Sequence, residues 1–328
     1  MIDVIAESKY LIEKGFPPMH KCFTRFRSVV WITLLGAMFP GVASALILYG
    51  GDTPEFNADA PTGIYEDSGW QYQGIYAQGL GTAISPTHFI TAAHLPLSSW
   101  FFYDGQSYTV DFVNYQDISG TDLRIFQVTD GTFADYAPLY DGALSAGDEL
   151  VMMGRGAFRG DEVIVAGDAK GWELGSSDFL QRWGTNELED LLPTGVGPML
   201  LSTFDDSGGP NEASFSPGDS GGGVFVYDAV DGRWELVGMN YAATLGPYRE
   251  DPLVPGEYYA TLYDTSGMYE YDFDTASWVP SVDPTGYMLM SDLTANRSTI
   301  QAMLVPEPGS ALFCLTSLGI WVMGRRRR

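Results

Sequence analysis

The 328-residue chain contains 17 basic and 42 acidic residues and carries a net charge of −25. Only eight of the basic residues, but 38 of the acidic ones, lie between residues 46 and 304. A central segment this acidic repels nucleic-acid phosphates, which excludes a nucleic-acid partner. Apolar residues make up 45% of the chain and charged residues 18%, a composition that supports a buried core and argues against a disordered polyelectrolyte.

Residues 20–45 have the three parts of a secretory signal peptide. A basic stretch is followed by an apolar run that is short for a membrane span, and then by Ala-Ser-Ala ending at Ala45. We expect translation to start at Met19, signal peptidase to cleave after Ala45, and the protein to be exported. The two cysteines, Cys22 and Cys314, both lie in terminal segments, so no disulfide is predicted within the body of the protein.

The body, residues 46–304, consists of short apolar stretches separated by turn residues, a pattern typical of an all-β fold. The sequence pattern of residues 157–213 does not allow strands or helices to be assigned in this region. The predicted strands span residues 79–84, 88–94, 107–115, 123–128, 149–153, 222–227 and 234–241, and the one predicted helix spans residues 291–304.

The segment 218–222 (Gly-Asp-Ser-Gly-Gly) leads directly into a predicted strand. Glycines around Ser220 permit a tight turn that exposes the hydroxyl and makes backbone N–H groups converge. A cluster of Gly, Ser and Asp alone is usually an ordinary turn, so a nucleophile at this position also requires partners elsewhere in the chain.

His94 and Asp122 are the candidate partners. His94 ends the segment 91–94 (Thr-Ala-Ala-His), whose small residues let another part of the chain approach the imidazole. Asp122 immediately precedes the predicted strand 123–128. A nucleophilic serine needs a base within hydrogen-bond reach and a third group that orients this base.

Three blocks of the sequence together resemble the chymotrypsin/trypsin family of serine proteases. Residues 84–94 resemble its histidine block, residues 122–126 its aspartate block and residues 218–222 its serine block, in the family's order. The resemblance covers essentially the whole body. It implies two antiparallel six-stranded β-barrels with the active site between them, followed by a C-terminal helix.

The resemblance also implies the roles of individual residues in an endopeptidase that hydrolyses protein or peptide substrates. His94, Asp122 and Ser220 correspond to the catalytic triad. The backbone N–H groups of Gly218 and Ser220 correspond to the oxyanion hole. No cofactor and no metal site are predicted.

Three further residues fall at positions that line the substrate pocket in the family: Ser214, Tyr241 and Ala243. Because Ser214 is not acidic, a preference for Lys or Arg is not supported. Ala243 narrows the expected pocket, so we predict cleavage next to a small or medium-sized apolar residue.

Activation in this family requires a newly freed N-terminus that pairs with the acid before the serine, which here is Asp219. The segment 46–51 (Leu-Ile-Leu-Tyr-Gly-Gly) follows the predicted signal cleavage site. We therefore hypothesise that signal cleavage itself frees the activating terminus at Leu46.

Other residues compete for the catalytic roles. Ser207 lies in a similar segment, 205–210 (Asp-Asp-Ser-Gly-Gly-Pro), but no apolar strand follows it. Asp111 falls inside a predicted strand, and Asp117 lacks a following apolar run. The sequence favours Ser220 and Asp122 over these three, and predicts a structural role for His88.

The C-terminal segment 305–328 begins with Val-Pro-Glu-Pro, continues with an apolar stretch at 311–323 and ends in four arginines. This combination resembles the PEP-CTERM sorting signal of exported bacterial proteins. The resemblance implies a transient membrane anchor, later processed by an exosortase-type enzyme, and a final location at the cell surface, in the outer envelope or in the extracellular matrix.

The sequence thus divides into an N-terminal extension with a signal peptide (1–45), a protease-like body (46–304) and a sorting segment (305–328). A serine endopeptidase is the function predicted by the residues and the resemblance together. A catalytically silent binding or matrix protein on the same scaffold is the alternative, and an esterase using the same three side chains is a further one.

Overall fold

The structure, a computed structural model, describes residues 46–51, 53, 55–272, 275–281 and 286–304. The predicted signal peptide and the predicted sorting segment lie outside these ranges. Within them, no helix is long and apolar enough to cross a membrane.

The first half of the body forms an antiparallel sheet of seven strands, in the order β6-β5-β2-β3-β4-β8-β7. A short strand, β1, precedes this sheet and pairs elsewhere. The strands of the first half are β1 (Ile47–Leu48), β2 (Gln73–Tyr76), β3 (Gly79–Ser85), β4 (His88–Ala92), β5 (Trp100–Tyr103), β6 (Gln106–Thr109), β7 (Gln116–Asp117) and β8 (Leu123–Gln127).

The second half builds another antiparallel sheet of seven strands, in the order β12-β9-β16-β17-β22-β14-β13. Its remaining strands form smaller sheets, β10-β11-β19 and β18-β20-β21, and the pair β1-β15. The strands of the second half are β9 (Glu149–Gly154), β10 (Arg159–Val165), β11 (Asp168–Leu174), β12 (Arg182–Glu187), β13 (Asp190–Thr194), β14 (Gly197–Phe204), β15 (Ala213–Ser214), β16 (Gly223–Asp228), β17 (Arg233–Ala243), β18 (Tyr248–Arg249), β19 (Ala260–Leu262), β20 (Tyr269–Asp272), β21 (Ser277–Pro280) and β22 (Gly286–Asp292).

The all-β class is therefore confirmed, and the two curled half-barrel sheets are compatible with a trypsin-like fold. The prediction of six strands per barrel was wrong, because each main sheet has seven. In the first sheet, the short edge strand β7 pairs with β8 through Gln116 and Asp117. The sequence 116–117 has no apolar alternation, so it carries no strand signal of its own.

Several buried apolar cores hold the sheets together. The inside of the first sheet is largely aromatic, and Phe89 stacks on Phe101 with ring centroids 4.0 Å apart. A second core lies between the two sheets, where Leu80 and Ile90 of the first sheet pack with Val151 and Met239 of the second. Burial of this shared apolar surface fixes the two sheets against each other.

Two predicted elements are shorter than expected. The predicted strand 107–115 ends as β6 at Thr109, because the Asp111 carboxylate accepts the N–H groups of Val113 and Asn114 and forms a turn. The predicted helix 291–304 is helix α1 (Arg297–Leu304), preceded by a 3-10 turn at Thr294–Asn296.

The region without a sequence assignment, 157–213, contains β10 to β15 and contributes to a cluster around the first described residues. Trp172 of β11 and Phe204 of β14 pack with Ile47, Tyr49 and Tyr263. The Tyr49 and Trp172 rings meet edge to face, with centroids 5.4 Å apart. This cluster anchors the start of the body between two segments that are distant in sequence.

Glu212 lies beside β15 with a side chain that is only 3% exposed. Its Oε1 accepts a hydrogen bond from Asn186 Nδ2 at 2.6 Å. Burial raises the pKa of Glu212 from 4.5 to about 9, and the charges of Asp205, Glu187 and Glu189 add to this effect. The folded protein therefore keeps this proton at neutral pH, whereas the unfolded chain releases it near its ordinary pKa.

The free energy of unfolding should therefore fall as the pH rises from about 4.5 to about 9. In Glu212→Gln this contribution is absent, so we expect the variant to gain on the order of 4 kcal/mol over the wild type between pH 5 and pH 8. Urea unfolding at the two pH values measures the gain, with Glu66→Gln, at an exposed acid, as the control. An equal difference from wild type at both pH values would show that Glu212 is ionised in the folded state.

Candidate active site

His94 and Asp122 come together because they sit at adjacent ends of two paired strands. Ala92, the last residue of β4, is the register partner of Leu123, the first residue of β8. The turn after β4 is fastened by the bond from Ala93 N to Asp122 O, 2.9 Å. The Asp122 carboxylate then accepts two bonds from His94, one from the backbone N at 2.9 Å and one at Nδ1, 2.7 Å.

Ser220 reaches this pair from the second sheet. Its Oγ lies 2.8 Å from His94 Nε2, so Asp122, His94 and Ser220 form a continuous hydrogen-bonded chain. The Asp122 side chain is 10% exposed and that of His94 39%, so the chain runs from the protein interior to a solvent-accessible serine. In such an arrangement, the carboxylate orients the imidazole, which can then take the proton of the hydroxyl.

The turn that carries Ser220 is held against the first sheet. The carbonyl of Ser220 accepts a hydrogen bond from Leu80 N in β3, at 3.0 Å. Gly221 has a φ of 78°, and a Cβ at this position would lie 2.2 Å from the Leu80 carbonyl oxygen. Only glycine satisfies both the left-handed backbone and this close approach.

Gly218 and Ser220 have backbone N–H groups that make no hydrogen bond to another described residue. Gly218 adopts a φ of 106°, which L-amino acids with side chains rarely adopt. The N–H groups of the next two residues, by contrast, are used within the protein, because Gly221 N donates to Asn240 O and Gly222 N to Asp219 O. Two donors near the Ser220 hydroxyl thus remain available for a ligand.

The Asp219 side chain holds the same turn in place through hydrogen bonds to the backbone. Its Oδ1 accepts hydrogen bonds from Arg155 N and Gly156 N at 2.6 and 2.7 Å, and its Oδ2 from Ser216 N and Oγ at 2.7 and 2.9 Å. Burial raises the pKa of Asp219 to about 6, and these hydrogen bonds oppose the increase. The carboxylate is therefore mostly ionised at neutral pH, as four donors require.

Leu46, the first described residue, is buried beside Asp219. A Cβ at Gly154 would lie 2.3 Å from Asp219 Oδ1 and 2.7 Å from Leu46 Cδ2. The Asp219 carboxylate and the Leu46 side chain therefore both lie against Gly154. The hypothesis of an activating terminus at Leu46 thus remains a prediction. The four donors above already occupy both carboxylate oxygens, so Asp219 is hydrogen-bonded without a terminal ammonium group.

Tyr241 is the one predicted pocket residue that lies against the hydrogen-bonded chain. Its ring meets the His94 ring edge-on, with centroids 5.8 Å apart and planes at 73°. Burial raises the pKa of the Tyr241 hydroxyl, and the nearby Asp122 charge adds to this effect. The Tyr241 ring thus packs directly against the His94 imidazole.

The other two predicted pocket residues lie in strand pairings. Ser214 is 2% exposed and pairs with Ile47 in the small sheet β1-β15. Ala243 ends β17, pairs with Met288 and belongs to the core of the second sheet. The structure thus brings Tyr241, but neither Ser214 nor Ala243, into contact with the histidine.

The rival residues have other partners. Ser207 Oγ donates to Asp205 Oδ1 at 2.6 Å. Asp117 forms an ion pair with Arg124, and Asp111 binds its own turn. His88 Nδ1 lies 3.0 Å from Ser85 Oγ, and burial lowers the pKa of His88.

Sequence reasoning missed Asn240, which lies in the middle of β17 and is 1% exposed. Its amide nitrogen donates to the carbonyls of Met153 and Asp219, at 2.7 and 3.0 Å. A signal was present, because Asn240 interrupts the otherwise apolar stretch 236–243 of a strand. A buried amide in such a stretch requires hydrogen-bond partners.

Within the described ranges, one group of carboxylates has the spacing of a metal site. Asp141, Asp228 and Glu235 place ligand atoms within 4.8 Å of one another. Two of them are engaged in ion pairs, Asp141 with Arg297 and Glu235 with Arg233. The cluster therefore has counter-charges of its own, and we assign no metal to it.

No protein-family model matches the chain, and a search of curated proteins also found no match.

The Asp219 anchor yields a stability prediction. In Asp219→Asn, an amide NH₂ replaces one carboxylate oxygen and faces donors instead of accepting from them. Buried donors left without an acceptor cost about 1–3 kcal/mol, so we expect the free energy of unfolding to drop by about 2 kcal/mol. Asp205→Asn is the matched control, because Asp205 accepts hydrogen bonds from Ser207 and Gly208 in an exposed loop. Equal losses in the two variants, measured by urea unfolding, would contradict the anchoring role.

Proposed function

We propose that the protein is an exported serine endopeptidase of the trypsin-like type, with His94, Asp122 and Ser220 as its catalytic triad. The observation that carries this proposal is the hydrogen-bonded chain from Asp122 through His94 to the Ser220 hydroxyl, with bonds of 2.7 and 2.8 Å. The N–H groups of Gly218 and Ser220, which make no hydrogen bond to another described residue, add to its support.

In the proposed reaction, Ser220 Oγ attacks the carbonyl carbon of a peptide bond while His94 Nε2 takes the hydroxyl proton. The N–H groups of Gly218 and Ser220 stabilise the negative oxygen of the tetrahedral intermediate. The intermediate collapses as the C–N bond breaks, His94 returns the proton to the leaving amine, and an acyl-enzyme remains. Water, deprotonated by His94, then hydrolyses this ester and restores the serine.

Asp122 supports each proton transfer without taking the proton itself. Its carboxylate accepts from His94 Nδ1, which keeps Nε2 directed at the serine and stabilises the imidazolium. The second bond, to the His94 backbone N, keeps the carboxylate in this orientation.

Covalent labelling of the processed protein, with its N-terminus confirmed as Leu46, by a fluorophosphonate probe tests the proposal. Fluorophosphonates react with activated serines, so we expect the wild type to be labelled and Ser220→Ala not to be. His94→Ala should lower the labelling rate by on the order of 10⁴-fold, since the hydroxyl then has no base. Mass spectrometry of the labelled peptide locates the modified residue.

Ser207→Ala is the matched control and should be labelled at the wild-type rate. Labelling that persists in Ser220→Ala would contradict the assignment of the nucleophile. A folded wild type that is not labelled would favour the catalytically silent scaffold instead. Turnover of ester substrates without cleavage of any peptide in a mixed peptide library would favour an esterase.

The proposed export makes a separate prediction about processing. We propose that a signal peptidase removes the segment from Met19 to Ala45 and that an exosortase-type enzyme acts at the C-terminal segment, which anchors the precursor in the membrane beforehand. The mature protein should begin at Leu46, and its unprocessed precursor at Met19. N-terminal sequencing of both forms tests this; a precursor that begins at Met1, or a mature protein that retains the segment before Leu46, would contradict it.

A further inference from the structure

Asn240 contacts the nucleophile turn at several points. Its backbone O accepts from Gly221 N at 3.2 Å, and its backbone N donates to Gly222 O at 2.9 Å. Its side-chain Nδ2 also donates to the carbonyl oxygen of Asp219, at 3.0 Å. The backbone bonds are available to any residue at this position, whereas the third depends on the amide.

The bond to Asp219 O has a direct consequence for the nucleophile. The carbonyl of Asp219 and the N–H of Ser220 belong to the same peptide unit, which is planar and trans. The two groups therefore point in opposite directions, so a bond that holds the carbonyl also sets the direction of the N–H. This N–H is one of the two donors that make no hydrogen bond to another described residue.

A second hydrogen bond fixes the position of the Asn240 amide. Nδ2 also donates to the carbonyl oxygen of Met153 in β9, at 2.7 Å. The Asn240 side chain thus connects the Ser220 turn to a central strand of the second sheet. Two carbonyl acceptors determine which end of the amide faces them, because the amide oxygen could not accept from either.

The same side chain carries a cost. Asn240 Oδ1 is buried and has no hydrogen-bond partner among the residues that the structure describes. A buried acceptor without a donor costs about 1–3 kcal/mol. An apolar residue in the middle of β17 would avoid this cost, but it would also remove the donor to the Met153 and Asp219 carbonyls.

From this geometry we propose that Asn240 is a positioning residue of the active site. Its side-chain amide orients the peptide between Asp219 and Ser220 and thereby directs the Ser220 N–H at the oxyanion. The catalytic effect rests on the proposed function, whereas the positioning of the peptide does not. Asn240 touches neither the substrate nor the reacting atoms.

A pair of variants with the same shape tests the role of the donor. Asn240→Val removes the side-chain donor. Asn240→Thr supplies one donor, a hydroxyl, on a side chain of the same size and shape as valine. Because loss of an oxyanion donor lowers kcat by about 10²–10³-fold, we expect a misdirected donor in Asn240→Val to slow fluorophosphonate labelling by about 10–100-fold. Asn240→Thr should recover part of this loss.

Asn186→Val is the matched control for the loss of a buried amide. Asn186 is 5% exposed, and its Nδ2 donates to the carbonyls of Thr203 and Ala213 and to the Glu212 carboxyl, none of which belongs to the turn at residues 218–222. This variant should be destabilised but labelled at nearly the wild-type rate.

The midpoint of the pH–rate profile should be unchanged in Asn240→Val, because the His94–Asp122 pair is intact.

Hydrogen exchange provides a readout that does not require activity. Amides in a peptide covering residues 219–222 should exchange faster in Asn240→Val than in Asn186→Val, while the strands of the first sheet exchange equally in both. Unchanged exchange at 219–222, or labelling of Asn240→Val at the rate of Asn186→Val, would overturn the inference. Faster exchange in a protein whose wild type is not labelled would support the positioning role and reject the proposed protease function.

Discussion

A backbone hydrogen bond from Leu80 N to the carbonyl of Ser220 connects the first sheet to the turn that carries the proposed nucleophile. The proposed base and its orienting carboxylate lie next to strands β4 and β8 of the first sheet, and the serine lies in the turn before β16 of the second. The 2.8 Å contact between His94 and Ser220 therefore depends on how the two sheets pack. The apolar core between the sheets supplies the free energy of this packing, and the Leu80 bond fixes its register at the site.

The turn around Ser220 is held by polar groups buried in the second sheet. Asp219 receives four hydrogen bonds from one side, and the Asn240 amide binds the Asp219 carbonyl from another. Burying these groups is costly unless each acceptor finds its donor. These hydrogen bonds restrict the backbone around Ser220. The proposed chemistry requires this restriction, because the oxyanion donors must be in place before the substrate reacts.

Much of the site was predictable because its residues stand next to strong local signals. Ser220 lies in a glycine-rich segment before an apolar strand, Asp122 precedes another, and His94 follows a run of small residues. The missed features depend on contacts between distant segments. The strand β7 has no alternation of its own, and the partners of Asn240, Met153 and Asp219, lie 87 and 21 residues away in the chain. The helix was predicted too long, because β22 continues through Asp292.

The sequence by itself determined the all-β class and the glycines that the turn at Ser220 requires, since these features follow from local pattern and backbone sterics. The order of the three proposed catalytic residues came from the resemblance of the sequence to a known family. Only the tertiary structure decided which side chains meet. It brought Tyr241 to His94, left Ser214 and Ala243 in strand pairings, and gave Ser207 a partner in Asp205. The physical reason is that strand pairing and sheet packing join residues far apart in the chain, and no local pattern encodes the distance between them.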